Sequence, residues 1–93
     1  MNRLTRSLKN RELYSVDHQK VDIDENGYSG EAINRLGKFE DFWGDMERRQ
    51  VEIPEEMAKL RGEGKEKSYR YKELMGEKLT VSHILRLLQA NVL

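Results

Sequence analysis

The stretch that most constrains this chain is residues 30–50, GEAINRLGKFEDFWGDMERRQ, which holds both phenylalanines and the only tryptophan. Ala32, Leu36, Phe39, Trp43 and Met46 recur at intervals of 4, 3, 4 and 3 residues, which places them on one face of an α-helix. Ile33 and Phe42 widen that face. Ser29 stands where its hydroxyl can cap the first turn, Glu31 lies where the helix dipole favours negative charge, and Arg48 and Arg49 lie at the other end. A stripe this rich in aromatics needs covering. The expectation is a core helix, the spine on which the rest of the chain packs.

Ninety-three residues, 37% of them apolar and 37% charged, suit one small domain with a modest core and leave little chain for an enzymatic cleft. Seventeen basic residues balance seventeen acidic ones, so net charge selects no partner. The charges are nevertheless blocked: net +3 over residues 1–20, net −6 over 22–47 and net +4 over 59–72. Pairing of the acidic middle with its basic flanks is the expected outcome. There is no cysteine, which excludes disulfides and thiolate zinc sites. No apolar run reaches the length of a membrane span, and the basic start lacks the apolar segment of a secretory leader. Cytoplasmic residence is expected.

Residues 1–10 read as a loose basic arm. Leu13, Tyr14 and Val16 form a strand-like run, Asp17-His18-Gln19 a turn, and Val21 and Ile23 alternate with polar neighbours. Asn26-Gly27 is a strong turn dipeptide, since both residues tolerate positive φ. One β-hairpin within residues 13–28, packed on the spine, follows from these signals.

The same segment carries a metal-like motif. Asp22, Asp24 and Asn26, followed by Gly27, match the opening of a calcium loop. The twelfth position, which should supply a bidentate carboxylate, is Ile33, and Glu31 falls two residues early. The eighth position, usually apolar, is Ser29. The motif is therefore read as an acidic turn with no metal and no cofactor.

Beyond the spine, Pro54 suits the first turn of a second helix with Met57 and Leu60 on its apolar side, ended by Gly62 and Gly64. Residues 65–68 form a polar connector, and Ser68 caps a third helix over 69–75 with Tyr71, Leu74 and Met75 inward. The alternation of Tyr69 and Tyr71 also suits a strand there. Gly76 ends that element, and Thr80 caps a last helix over 81–89 with Val81, Ile84, Leu85 and Leu88 inward. Residues 71–86 then read as a helix-turn-helix. In that reading Arg61, Lys65, Lys67, Arg70 and Lys72 meet phosphates, while Ser82 and His83 face bases, with Thr80 and Arg86 on the same polar side of the helix. The turn is about one residue short of the usual spacing, and Arg86 is the only cation on the recognition helix. A helical hairpin with a solvated basic connector explains the same residues.

Catalytic patterns are thin. His18 and His83 are the only histidines, with no carboxylate at metal-ligand spacing. Gly62-Glu63-Gly64-Lys65 lacks the spacing of a phosphate loop. Glu40, Asp41, Asp45 and Glu47 crowd one helix without a pocket that would make acids or bases of them. The chain reads as a non-enzyme.

Arg3-Leu4-Thr5, the Asp24-Glu25-Asn26-Gly27 turn, Glu31-Ala32-Ile33-Asn34-Arg35-Leu36 and Phe39-Glu40-Asp41 together resemble small uncharacterised proteins encoded by phages and prophages of Gram-positive bacteria. The run Met57 to Leu88, which carries the pattern K-L-R-x-E-G-K-x-K-S at Lys59 to Ser68, is similar to other short phage proteins. The segment after the spine departs from the family, having residues 42–51 before Ile53-Pro54-Glu55-Glu56. The resemblance implies phage origin and the host cytoplasm. It implies no activity.

The expected fold is mostly α with a minor β part: an N-terminal β-hairpin packed on a long central helix, followed by three shorter helices. The expected role is binding to a host or phage protein. A small DNA-binding protein is the alternative. A self-assembling piece is a third, because Leu87-Leu88 and Val92-Leu93 offer apolar surface for a homodimer.

Overall fold

The computed structural model describes residues 1–10 and 12–92, and its elements run β1 (Thr5–Ser7), β2 (Tyr14–Val16), β3 (Asp22–Asp24), β4 (Gly27–Ser29), α1 (Glu31–Gly62) and α2 (Tyr69–Asn91). Among the described residues there are thus two β-hairpins and two α-helices, one long and one shorter, where one hairpin and four helices were expected. The chain divides into two compact units, Met1–Asp41 and Phe42–Leu93. Leu93 itself, one of the expected dimer residues, lies outside the described residues.

In the first unit the two hairpins are short and antiparallel. Thr5 stands opposite Val16 and Ser7 opposite Tyr14, so the N-terminal basic stretch contributes a strand. Asp22 stands opposite Ser29 and Asp24 opposite Gly27. The strand-like runs expected to belong to a single hairpin therefore belong to different ones, separated by a 3₁₀ turn at His18–Lys20. Asn26 keeps negative φ, and Gly27, at φ 116°, completes the reversal.

Gly30 joins the hairpins to α1, with φ 112°. A Cβ there would stand 2.8 Å from the Lys20 carbonyl oxygen, so only glycine fits. The Gly30 carbonyl accepts the first helical bond, from the Asn34 N–H at 2.9 Å. Gly30 rather than Ser29 is therefore the capping position. Lys20 Nζ reaches Glu31 at 3.0 Å, and the Arg35 guanidinium donates to the Asn2 carbonyl. No described residue of this unit is buried, so polar contacts and backbone geometry secure it.

α1 runs through Pro54, which was expected to start a separate helix. The reason is visible in the burial. Pro54 and Gln50, whose carbonyl loses its partner, are both exposed, so water can serve that carbonyl. Ile53 and Met57, on either side, are 1% and 5% exposed and fix the helix against its neighbour. The rhythm of the spine also continues: Ile53, Met57 and Leu60 keep its alternating 4,3 intervals beyond Met46, with Gln50 in the intervening place.

α1 ends as the glycines suggest. Gly64 has φ 71°, its N–H reaches the Arg61 carbonyl at 3.0 Å, and the Lys65 N–H reaches the Leu60 carbonyl at 2.8 Å. That pair of bonds is a Schellman motif. Ser68 caps α2, its hydroxyl accepting from the Tyr71 N–H at 3.2 Å. α2 is then continuous. Gly76 does not end it, and Thr80 does not cap a new helix. Thr80 Oγ1 instead donates to the Gly76 carbonyl at 3.1 Å, one turn back in the same helix.

The short link over 63–68 makes α2 return along the C-terminal part of α1 as an antiparallel hairpin. Arg49 meets Glu77, Glu56 meets Arg70 and Arg61 meets Tyr71, which fixes the direction. The core is Ile53, Met57, Tyr71, Leu74, Val81 and Leu85, with Trp43, Met46, Leu60 and Leu88 packed against it.

The aromatic stripe is thus not the centre of the core. None of its residues is buried, and Ile33, Leu36 and Phe42 are 37%, 53% and 42% exposed. α2 has 23 residues to the 32 of α1, so it is too short to line the whole stripe; Phe42 is exposed although it lies next to Trp43, which packs against the core. Among the described residues no helix is long and apolar enough to cross a membrane.

Candidate functional site

The calcium-like residues sit on the second hairpin. Asp22 and Asp24 are in β3 and Asn26 is in the turn, where its N–H donates to Asp24 Oδ1 at 2.8 Å. That carboxylate oxygen is occupied in shaping the turn. Ile33 lies on α1, and among the described residues no three His, Cys, Asp or Glu side chains form a cluster suited to a metal ion.

The residues assigned to nucleic acid are dispersed and mostly engaged. Arg61 donates to the Tyr71 hydroxyl at 3.0 Å and lies 6.0 Å from that ring's centre. Lys65 pairs with Glu63 at 3.0 Å. Arg70 pairs with Glu73 at 2.8 Å and Glu56 at 3.0 Å. Arg86 contacts His83 Nδ1 at 2.7 Å. Lys67 and Lys72 make no ion pair among the described residues. Ser82, His83 and Arg86 are exposed in the middle of α2. A helix-turn-helix needs a turn at 76–79, and those residues are helical.

The densest polar feature escaped the sequence reading. Arg49, with its side chain 17% exposed, reaches Glu52 at 2.9 Å, Glu56 at 3.0 Å and Glu77 at 2.8 Å. Arg48 extends the group to Asp45 and a second oxygen of Glu52, and Arg70 extends it to Glu73. Helical spacing within α1 predicts the Arg48–Glu52 pair. Nothing in linear spacing predicts Arg49 with Glu77, because the register between the two helices creates that contact.

This clustering shifts the charges in a consistent direction. Hydrogen bonding to Glu77, then to Glu56 and Glu52, raises the Arg49 guanidinium well above its usual range. Hydrogen bonding to Arg49 holds the Glu77 carboxyl below the usual carboxylate range. Arg48 and then Arg49 do the same for Glu52. A carboxylate with a depressed folded-state pKa stabilises the fold above its unfolded value, about 4.3, and that contribution disappears as the pH falls through the folded value. Melting temperature should therefore drop as the pH is lowered from about 5 towards 3. Glu77→Gln should melt lower at pH 7 and show a shallower decline. The effect is modest, since both carboxylates are more than a third exposed. Parallel pH profiles for the two proteins would remove the network from the stability of the fold.

α2 has apolar side chains beyond those it buries against α1. Met75, Leu79 and Leu87 are 45%, 69% and 47% exposed, and Val51 on α1 is 62% exposed. In the first unit a hollow is lined by Val16, Asp17, His18, Val21, Asp22, Ile23 and Tyr28. Comparison with protein-family models, with curated proteins and with solved structures finds no match to this chain.

Proposed function

We propose that this chain acts by binding protein, through the outer surface of its helical hairpin, rather than by turning over a substrate. The observation that carries the reading is the apolar pair that α2 leaves outside its buried face. Having buried Tyr71, Leu74, Val81 and Leu85, the helix still presents Met75 and Leu79, four residues apart on one face, to solvent, and Leu87 on another side. Exposed apolar side chains that share a helix face mark an interaction surface. In the setting that the resemblance to phage proteins implies, the chain is a phage or prophage accessory protein in a host cytoplasm, and its partner is a host or phage protein.

The DNA reading has less to support it. Its phosphate-facing cations are largely paired within the fold, leaving Lys67 and Lys72, and its base-facing residues have no turn to present them. A photo-crosslinking phenylalanine analogue at position 79, in cells expressing the chain, tests the proposal. An adduct with a protein is expected. No adduct, or an adduct with nucleic acid, would overturn it. Duplex DNA at about 50 mM salt should give no shift. A shift whose slope of log affinity against log salt flattens by about 2 in the Lys67→Ala/Lys72→Ala variant would establish the DNA reading instead.

A further inference from the structure

α1 is one unbroken helix of 32 residues, yet its two ends are held by different parts of the chain. At its start Glu31 pairs with Lys20 at 3.0 Å, Arg35 donates to the Asn2 carbonyl, and Gly30 lies against the Lys20 carbonyl. From Trp43 onward the helix belongs to the second unit. Trp43 and Met46 pack on its core, Arg49 reaches Glu77, and Ile53 is buried. Between these anchorages Lys38, Glu40 and Asp41 are exposed and make no side-chain hydrogen bond or ion pair among the described residues. The boundary between the compact units, at Asp41 and Phe42, falls in the same stretch.

This stretch also carries the signals of one helix ending and another starting. Gly37 follows Leu36 as a terminating glycine does, and a Cβ added to it meets nothing within 4 Å, so no packing demands glycine there. An exposed interior glycine weakens a helix about 4- to 5-fold relative to alanine. Asp41, four residues on, is of a type favoured as an N-cap, and Asp45 follows where the dipole of a new helix favours acid. The chain's own interhelical link uses such a pair at the same spacing: Gly64, at φ 71°, ends α1 and Ser68 caps α2. Gly76 and Thr80 repeat the spacing inside α2, but Leu74 and Val81, buried on either side in one core, keep that helix closed. No residue of α1 before Ile53 is buried, so Gly37 and Asp41 have no such clamp.

We propose that α1 opens reversibly at residues 37–41, exchanging one continuous helix for two. In the open form Gly37 ends the first helix and Asp41 caps the second. The closed form keeps the backbone hydrogen bonds of the stretch, while the open form gains the cap and the freedom of the linking residues. Because the break falls at the unit boundary, it gives the two compact units independent motion on the microsecond-to-millisecond scale. The opening needs no partner at Met75 and Leu79.

Hydrogen exchange of the full chain, read amide by amide and corrected for intrinsic rates, tests the opening. The amides of residues 39–43 should exchange roughly 100-fold or more faster than those of 55–61. Gly37→Ala should slow the first set about 5-fold and leave the second as in the parent. Ala58→Gly should speed 55–61 about 5-fold and leave 39–43 unchanged. Asp41→Ala should slow 39–43 about 5-fold by removing the cap of the open form, whereas Asp41→Asn, which keeps a capping oxygen, should match the parent. Equal protection of the two segments, a common response of both to Gly37→Ala or Ala58→Gly, or equal rates in the two Asp41 variants would overturn the opening.

Discussion

Leu74→Ala is expected to cost about 3–5 kcal/mol, while Leu36→Ala costs little. Both residues are expected to face inward, but Leu74 is 0% exposed at the centre of the helical hairpin, whereas Leu36 is 53% exposed. Removing a buried leucine loses its transfer free energy and leaves a cavity among Ile53, Met57, Tyr71 and Val81. A fold of this size holds only about 5–15 kcal/mol of stability, so the loss takes a large share of it. Thermal melts of the two variants at one fixed protein concentration decide the matter, because any association shifts the midpoint by mass action. Equal shifts would mean that the buried cluster between the helices is not the core.

Replacing Pro54 by alanine should stabilise the protein. Within a helix interior proline costs about 3 kcal/mol relative to alanine, through the missing N–H and the ring's clash with the preceding turn. Alanine would restore a donor to the Gln50 carbonyl. Part of the gain is returned, since proline restricts the unfolded chain by about 0.4–1 kcal/mol. The net expectation is about 2 kcal/mol, with each kcal/mol worth roughly 4–8 °C in Tm for a chain this size. Pro54 is exposed, so no core packing changes. An unchanged or lower Tm would show that α1 already relaxes around the proline at no cost. Such a penalty carried inside a continuous helix is where sequence reading went wrong: a rule that is sound for an isolated helix was outweighed by Ile53 and Met57, whose burial holds both sides of the proline.

The local chemistry was legible from the chain alone. Ser68 as a cap, Gly62 and Gly64 as a helix end, Asn26-Gly27 as a turn and, of the inward set Val81, Ile84, Leu85 and Leu88, all but Ile84 depend on neighbours a few residues away, and linear sequence holds that information. The heptad rhythm from Ala32 to Leu60 was also present, although Gln50 and Pro54 interrupted it. What sequence could not determine was which part of that long stripe would be covered. Only the return of α2 along the C-terminal part of α1 decided this, centring the core on Ile53, with Met57 and Leu74 inward as expected but Met75 exposed. The Arg49–Glu77 contact and the neutralisation of Arg70 arise the same way. Each depends on the register of two helices against each other, which is set by the packing of all the core side chains at once rather than by any local rule.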